Sequence, residues 1–204
     1  MTDCFALLDE PRRLCLDAEA LKQKFLARSA LAHPDKIHGA AESERSSAAK
    51  SFAELNAAYH CLAEPKSRLL HLLELERGDK PKDIQQIPGE LADLFAEVAM
   101  NCRSADGFLA QKSQVTSPLL QVQFFERGQE WVEKLNGLQR KLNGLHEQLL
   151  AQLKSLDEQW METEPSQPSQ REDILSAAEG LYRLFSYFNR WNKQIQERAV
   201  QLSF

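Results

Sequence analysis

The chain has 204 residues, of which 25 are basic and 30 acidic, giving a net charge of −5. That length suits one large domain or two small ones, with two expected here, and the acidic balance lacks the basic excess that a phosphate backbone requires, so nucleic acid is not an expected partner. Cys4, Cys15, Cys61 and Cys102 are scattered without a C-x-x-C pair, and no apolar run approaches the ~18 residues of a membrane span; no disulfide framework, metal, other cofactor or membrane association is expected, and the reading is of a cytoplasmic protein.

Leu, Ala, Glu, Gln and Lys dominate while glycines number only 8, which predicts an all-α fold. The opening stretch MTDCFALLDEPRRLCLD is too acidic, and too broken by Pro11, for an export signal. It holds a short first helix over residues 3–9. Asp17 then caps a second helix, with Glu19 near its positive end. That helix must stop at about Ala32, because Pro34 lacks an N–H and pushes His33 out of the helical region. A polar loop, GAAESERSS, leads to a third helix over residues 46–62, whose stripe is Phe52, Leu55, Ala58, Tyr59 and Leu62. Pro65 ends it. A short apolar helix follows, with Leu69, Leu70, Leu72, Leu73 and Leu75, and Gly78 and Pro81 close it.

The polar, proline-bearing segment GDKPKDIQQIPG is the best boundary in the chain. It divides residues 1–78 from residues 90–204, with 79–89 as linker. Beyond it, residues 90–112 form one helix. Ser117 and Pro118 start a long one whose seam runs through Trp131, Leu135, Leu138, Leu142, Leu145, Leu149, Leu153 and Leu156, weakened at Gly128, Gly137 and Gly144. The segment METEPSQPSQRED reads as a hinge before a last helix over residues 173–202. Three helices with short connections make a three-helix bundle.

Two local features invite chemistry and do not sustain it. His60 and Cys61, with His71 nearby, suggest a nucleophile or metal pair, yet adjacent helical residues point about 100° apart, so a core cysteine beside a surface histidine is the simpler reading. Trp131, Trp160 and Trp191 sit at helical spacing, as core or interface aromatics do.

The tripeptide His33-Pro34-Asp35, in a loop between two helices expected to run antiparallel, is the signature of J-domains. Its surroundings are more specific. Phe5, Leu7, Pro11, Leu16 and Asp17, followed by Asn56, Ala58, Tyr59, Leu62, Pro65, Arg68, Leu72 and Leu73, resemble the HscB-type J-domain co-chaperones of iron–sulfur cluster assembly over nearly all of residues 1–78. Over the remainder only length and helical layout agree. The resemblance implies an N-terminal J-domain, a helical hairpin flanked by short helices, and a C-terminal client-binding bundle. It implies binding rather than catalysis: docking on a DnaK/HscA-type ATPase chaperone, whose hydrolysis is stimulated, and delivery of an IscU-type scaffold protein.

Chaperone binding would fall to His33, Pro34 and Asp35, with Lys22, Lys24 and Arg28 on the preceding helix; the Asp35 carboxylate suits charge-assisted hydrogen bonds from a partner arginine. This helix departs from the family pattern, since Leu26 and Ala27 stand where J-domains are often basic and Arg28 where leucine is common. A competing reading is therefore a helical adaptor or coiled-coil protein with a degenerate J-domain. The client-binding positions implied by the resemblance are Leu91, Ala92, Phe95 and Tyr187, with Leu94, Val98, Phe188 and Trp191 either in the core or in the same patch.

Overall fold

The computed structural model describes residues 2–32, 42–81, 89–164 and 166–203, and the expected all-α class holds: among these residues there are seven α-helices, one 3₁₀ turn and no strand. Alpha-helices α1 (Cys4–Leu8), α2 (Ala18–Ala32), α3 (Glu42–Ala63) and α4 (Pro65–Arg77) precede the 3₁₀ turn (Gly89–Leu91); α5 (Ala92–Lys112), α6 (Pro118–Glu162) and α7 (Pro168–Ser203) follow it. None of the described helices is long and apolar enough to cross a membrane.

The helix ends obey local chemistry. Asp3 caps α1 by accepting from the N–H groups of Phe5 and Ala6, and Asp9 closes it at φ 57°, in the left-handed region that aspartate tolerates. The Asp17 carboxylate accepts from the Ala20 N–H, as its N-cap role requires. Pro65 occupies the first turn of α4, where its missing N–H costs nothing, and Gly78 ends that helix at φ 83°. Three starts differ from expectation by two residues or more, one being α5, which begins at Ala92 rather than 90 because a 3₁₀ turn precedes it. Helix α3 begins at Glu42 rather than 46, its acidic Glu42 and Glu44 lying at the positive end, and α7 begins at Pro168 rather than 173, with proline again in the first turn.

The chain forms two compact units, and they do not follow the chain-order division at the linker. Residues 1–82 belong with 150–183, and residues 83–149 belong with 184–204. Helices α6 and α7 thus contribute to both.

In the first unit Phe5, Leu8, Leu14, Leu21, Leu62, Leu69, Leu72 and Leu73 are almost fully buried, and Leu153, Trp160, Ile174 and Ala178 from the far parts of α6 and α7 are buried as well. The α2 and α3 helices pack through Phe25 and Tyr59, whose rings stack at 4.4 Å. Buried Arg68 donates to the carbonyls of Leu14 and Leu62, fixing the loop after α1 against the end of α3. Asp157 receives the guanidinium of Arg13 and the N–H groups of Leu14 and Cys15, and the Trp160 indole N–H reaches the Arg12 carbonyl. An arginine network continues along the same unit: Arg77 bonds Glu172, Glu179 and Ser176, and Arg171 bonds Glu76.

The second unit is a three-helix arrangement. Its core joins Leu91, Val98, Cys102, Ala105 and Phe108 to Leu135, Leu138 and Leu142 of α6 and to Phe188, Trp191, Ile195 and Leu202 of α7. Arg198 grips Asp106 with two hydrogen bonds of 2.8 and 2.7 Å, tying α7 to α5. Gly128 has a physical reason, since a Cβ there would stand 3.3 Å from the Leu202 carbonyl oxygen.

Candidate docking surfaces and a thiol–imidazole cluster

The proposed chaperone-facing residues separate into three groups. His33, Pro34 and Asp35 lie outside the described residues. Lys24 and Arg28 are engaged internally: the Lys24 ammonium donates to the Asp9 carbonyl at 2.7 Å and pairs with Glu10 at 2.9 Å, and Arg28 stands 3.9 Å from the Asp9 carboxylate. Lys24 thus ties α2 to the turn that closes α1, and Arg28 faces the same turn across a solvent-exposed pair. Lys22, by contrast, is exposed and makes no ion pair among the described residues. One turn further along α2 is Leu26, 48% exposed, and near the helix end Leu31 is 79% exposed. The outer face of α2 therefore offers Lys22 beside the apolar Leu26 instead of a basic stripe, with Leu31 on the opposite side of the helix.

The four client-facing positions fall in the second unit and do not share one environment. Leu91 is only 8% exposed and belongs to the core, so the expectation of a surface anchor is corrected there: the 3₁₀ turn directs it inward before α5 begins. Ala92 is exposed and Phe95 is 40% exposed. Tyr187 is half-buried. Phe95 and Tyr187 approach the same buried indole, Trp191, with ring centroids at 6.1 and 5.9 Å. Among the residues left between core and patch, Val98, Phe188 and Trp191 are core and Leu94 is half-buried against it. The sequence reading omitted Ala96 and Met100, both exposed, which extend the flank begun by Ala92 and Phe95. Their helical spacing from Ala92 was the available signal.

A third arrangement contradicts the expectation that the cysteines stay apart. Cys4, at the start of α1, Cys61, near the end of α3, and His71 of α4 place one ligand-type atom each within 4.8 Å of one another. The convergence follows from packing α1 on the α3–α4 corner, which residue spacing along one helix cannot reveal. The Cys4 N–H donates to His71 Nε2 at 2.9 Å, and the His71 ring stacks on Phe5 at 5.8 Å. Bonding to the Cys61 thiol, against an upward push from burial and with help from His71, lowers the Cys4 pKa to about 5. The Cys61 thiol is pushed up by its bond to Cys4, by burial, and by the negative charge of Cys4 and Glu74. His71 is raised through its contact with Cys4.

No family model matches the chain. The co-chaperone protein HscB homolog of Chromobacterium violaceum is 31% identical over 81 residues, covering 40% of this chain and 46% of that protein. The human iron–sulfur cluster co-chaperone protein HscB is 32% identical over 110 residues, covering 48% of this chain and 47% of its own length. The crystal structure of human co-chaperone HscB superposes with a TM-score of 0.60 at 17% identity, covering 96% of this chain and 81% of the human one. Over part of its length the sequence is similar to HscB co-chaperones, and its fold is similar to that of human HscB. It spans about half the length of these two curated relatives. The low identity of the superposed human structure speaks for the fold, and the sequence matches carry the likeness to HscB-type proteins.

Proposed function

We propose that this chain is a J-protein co-chaperone in iron–sulfur cluster assembly, acting by binding rather than as an enzyme, in the cytoplasm. Residues 1–78 would dock on a DnaK/HscA-type ATPase and stimulate it through His33, Pro34 and Asp35. Residues 79–89 would link them to a client-binding region, 90–204, which delivers an IscU-type scaffold. The observation that carries the reading is an intact tripeptide immediately after a helix whose outer face offers exposed Lys22 and Leu26, in a chain similar to proteins named HscB co-chaperones. Asp35 would supply the carboxylate for a partner arginine, and Lys22, exposed on α2, a positive charge. The client face is built on Ala92 and Phe95, with Tyr187 stacked behind through Trp191.

One observation favours the adaptor reading instead. Lys24 and Arg28, two of the three basic residues on α2 offered for docking, are paired within the chain, which leaves a thin positive surface. The two readings part in one experiment. Single-turnover ATP hydrolysis by an HscA- or DnaK-type chaperone is measured with the full chain and with Asp35→Asn. Stimulation by the wild type and its loss in a variant of unchanged melting temperature supports the co-chaperone. Absence of stimulation, or full stimulation by Asp35→Asn, removes it in favour of the adaptor.

A further inference from the structure

We propose that Cys4, Cys61 and His71 form a binding site for one borderline or soft d¹⁰ cation, zinc(II) foremost, with a fourth coordination position open to the surface depression beside Glu74. Two thiols and an imidazole are the donor set that such ions prefer over oxygen-seeking cations. Each donor comes from a different helix, so the fold rather than local spacing assembles the set. In a tetrahedral zinc site with Zn–S near 2.3 Å and Zn–N near 2.0 Å, neighbouring ligand atoms stand roughly 3.5–3.8 Å apart. The three donors lie within 4.8 Å of one another, so closure about an ion requires movement of only about 1 Å, within reach of cysteine rotamer changes.

Two further features point to a cation. Glu74, whose side chain is 10% exposed, turns a buried Oε1 that accepts no hydrogen bond; its ion-pair partner Lys80 is an exposed side chain 3.5 Å away. That oxygen meets the Lys80 ammonium without a hydrogen bond, so a cation in the depression, or water bound to it, would add a partner for it. Glu74 lines the same depression, of about 400 Å³, as Cys61, His71 and His60, which gives an ion and its fourth ligand a route from solvent. His71 is preorganised by its stacking on Phe5 and by its burial. Coordination through Nε2 would release the Cys4 N–H, one of the first-turn donors that a helix leaves without an internal partner in any case. Metal entry releases thiol protons to solvent and changes no oxidation state.

The test uses the full chain, purified with a phosphine reductant and stripped by chelator, and adds cobalt(II) as a spectroscopic stand-in for zinc(II). The expected result is one equivalent of cobalt giving a thiolate-to-metal charge-transfer band and the visible bands of tetrahedral coordination, displaced by one equivalent of zinc(II). The bands should disappear in Cys4→Ser and Cys61→Ser and persist in Cys15→Ser, while zinc(II) raises the wild-type melting temperature. No tetrahedral band in the folded wild type would overturn the proposal, as would a band that survives loss of Cys61. A Cys4–Cys61 disulfide that forms on removing reductant, in a protein that takes up no metal when reduced, would also overturn it. The wild-type spectrum decides the matter even where a serine variant fails to fold.

Discussion

Asp157, near the end of α6, closes the loop that follows α1: one carboxylate oxygen receives the Arg13 guanidinium and the other the backbone N–H groups of Leu14 and Cys15. Asp157 is 2% exposed at its side chain and Arg13 37%, so the two ends of the pair are not equivalent. Removing the acid strands two backbone donors in a protein environment, whereas removing the base exposes little that water does not already reach. Asp157→Ala is expected to destabilise the protein by about 2–4 kcal/mol, and Arg13→Ala by less than about 1 kcal/mol. Urea denaturation of both variants checks the order, and equal losses would refute it.

The same contact predicts the behaviour of a truncated chain. A fragment ending at residue 82 loses Asp157, the Trp160 bond to Arg12 and the Glu172 and Glu179 partners of Arg77. It should melt well below the first-unit transition of the full chain, in calorimetry of both. An unchanged transition would mean that α1 to α4 hold together without the ends of α6 and α7.

What the sequence made legible was local. The helices ending near Ala32 and at Gly78, and the start of α6 at Pro118, are fixed by proline, glycine and capping chemistry within a few residues. The seam of α6 was also readable, because Leu135, Leu138, Leu142, Leu149, Leu153 and Leu156 are all buried. The early start of α7 was hidden because Pro168 can open a helix as readily as break one, and a proline-bearing polar stretch carries both meanings. Tertiary partners were out of reach. Nothing in the spacing of Cys4, Cys61 and His71 announces their meeting, and an apolar period cannot tell the core position Leu91 from the exposed position Phe95 one turn away.

Gly137 and Gly144 lie inside α6, and a Cβ at either would find nothing within 4 Å. Neither position requires glycine's conformational range, so the residue only raises the entropy of the unfolded chain. Gly137→Ala and Gly144→Ala are each expected to stabilise by roughly 0.5–1 kcal/mol. Gly128→Ala should not, because its Cβ would crowd the Leu202 carbonyl oxygen at 3.3 Å. Thermal melts of the three variants give the comparison, and a uniform response would remove the steric argument.

In metal-free protein the Cys4 thiol should ionise at about pH 5 rather than near its ordinary 9. The folded value lies below the unfolded one, so the thiolate's contribution to stability is fully present above pH 9 and is lost as the pH falls through about 5. Because the thiolate is the nucleophile, iodoacetamide labelling of Cys4, followed by peptide mass spectrometry, should rise with a midpoint near pH 5. Cys61, pushed the other way by Cys4 and by burial, should label only in more alkaline solution than an ordinary thiol. In His71→Gln the Cys4 midpoint should move upward, since one of the groups holding it down is gone. A midpoint near 9 in the wild type would show that Cys61 and His71 do not stabilise the thiolate.

The client face rests on Phe95 and Ala92, and the burial of Leu91 supplies its internal control. Leu91 is in the core with Val98 and Trp191, so Leu91→Ala should lower the melting temperature, with a loss of about 2–5 kcal/mol, and leave the affinity of the folded fraction for an IscU-type scaffold nearly intact. Phe95 is 40% exposed, with its inner edge against Trp191. Phe95→Ala should cost less in stability and weaken scaffold binding by about 1–3 kcal/mol, the range of an interface anchor. Ala92→Arg adds a desolvation penalty at the same face without opening a cavity, so it should weaken binding at unchanged melting temperature. Tyr187→Phe keeps the ring on Trp191, whereas Tyr187→Ala removes it, and the difference between the two separates the hydroxyl from the packing. Calorimetric titration with the scaffold, paired with a melt of every variant, reads affinity and stability independently. Unchanged scaffold affinity in a folded Ala92→Arg, Phe95→Ala double variant would move the client surface away from this flank of α5.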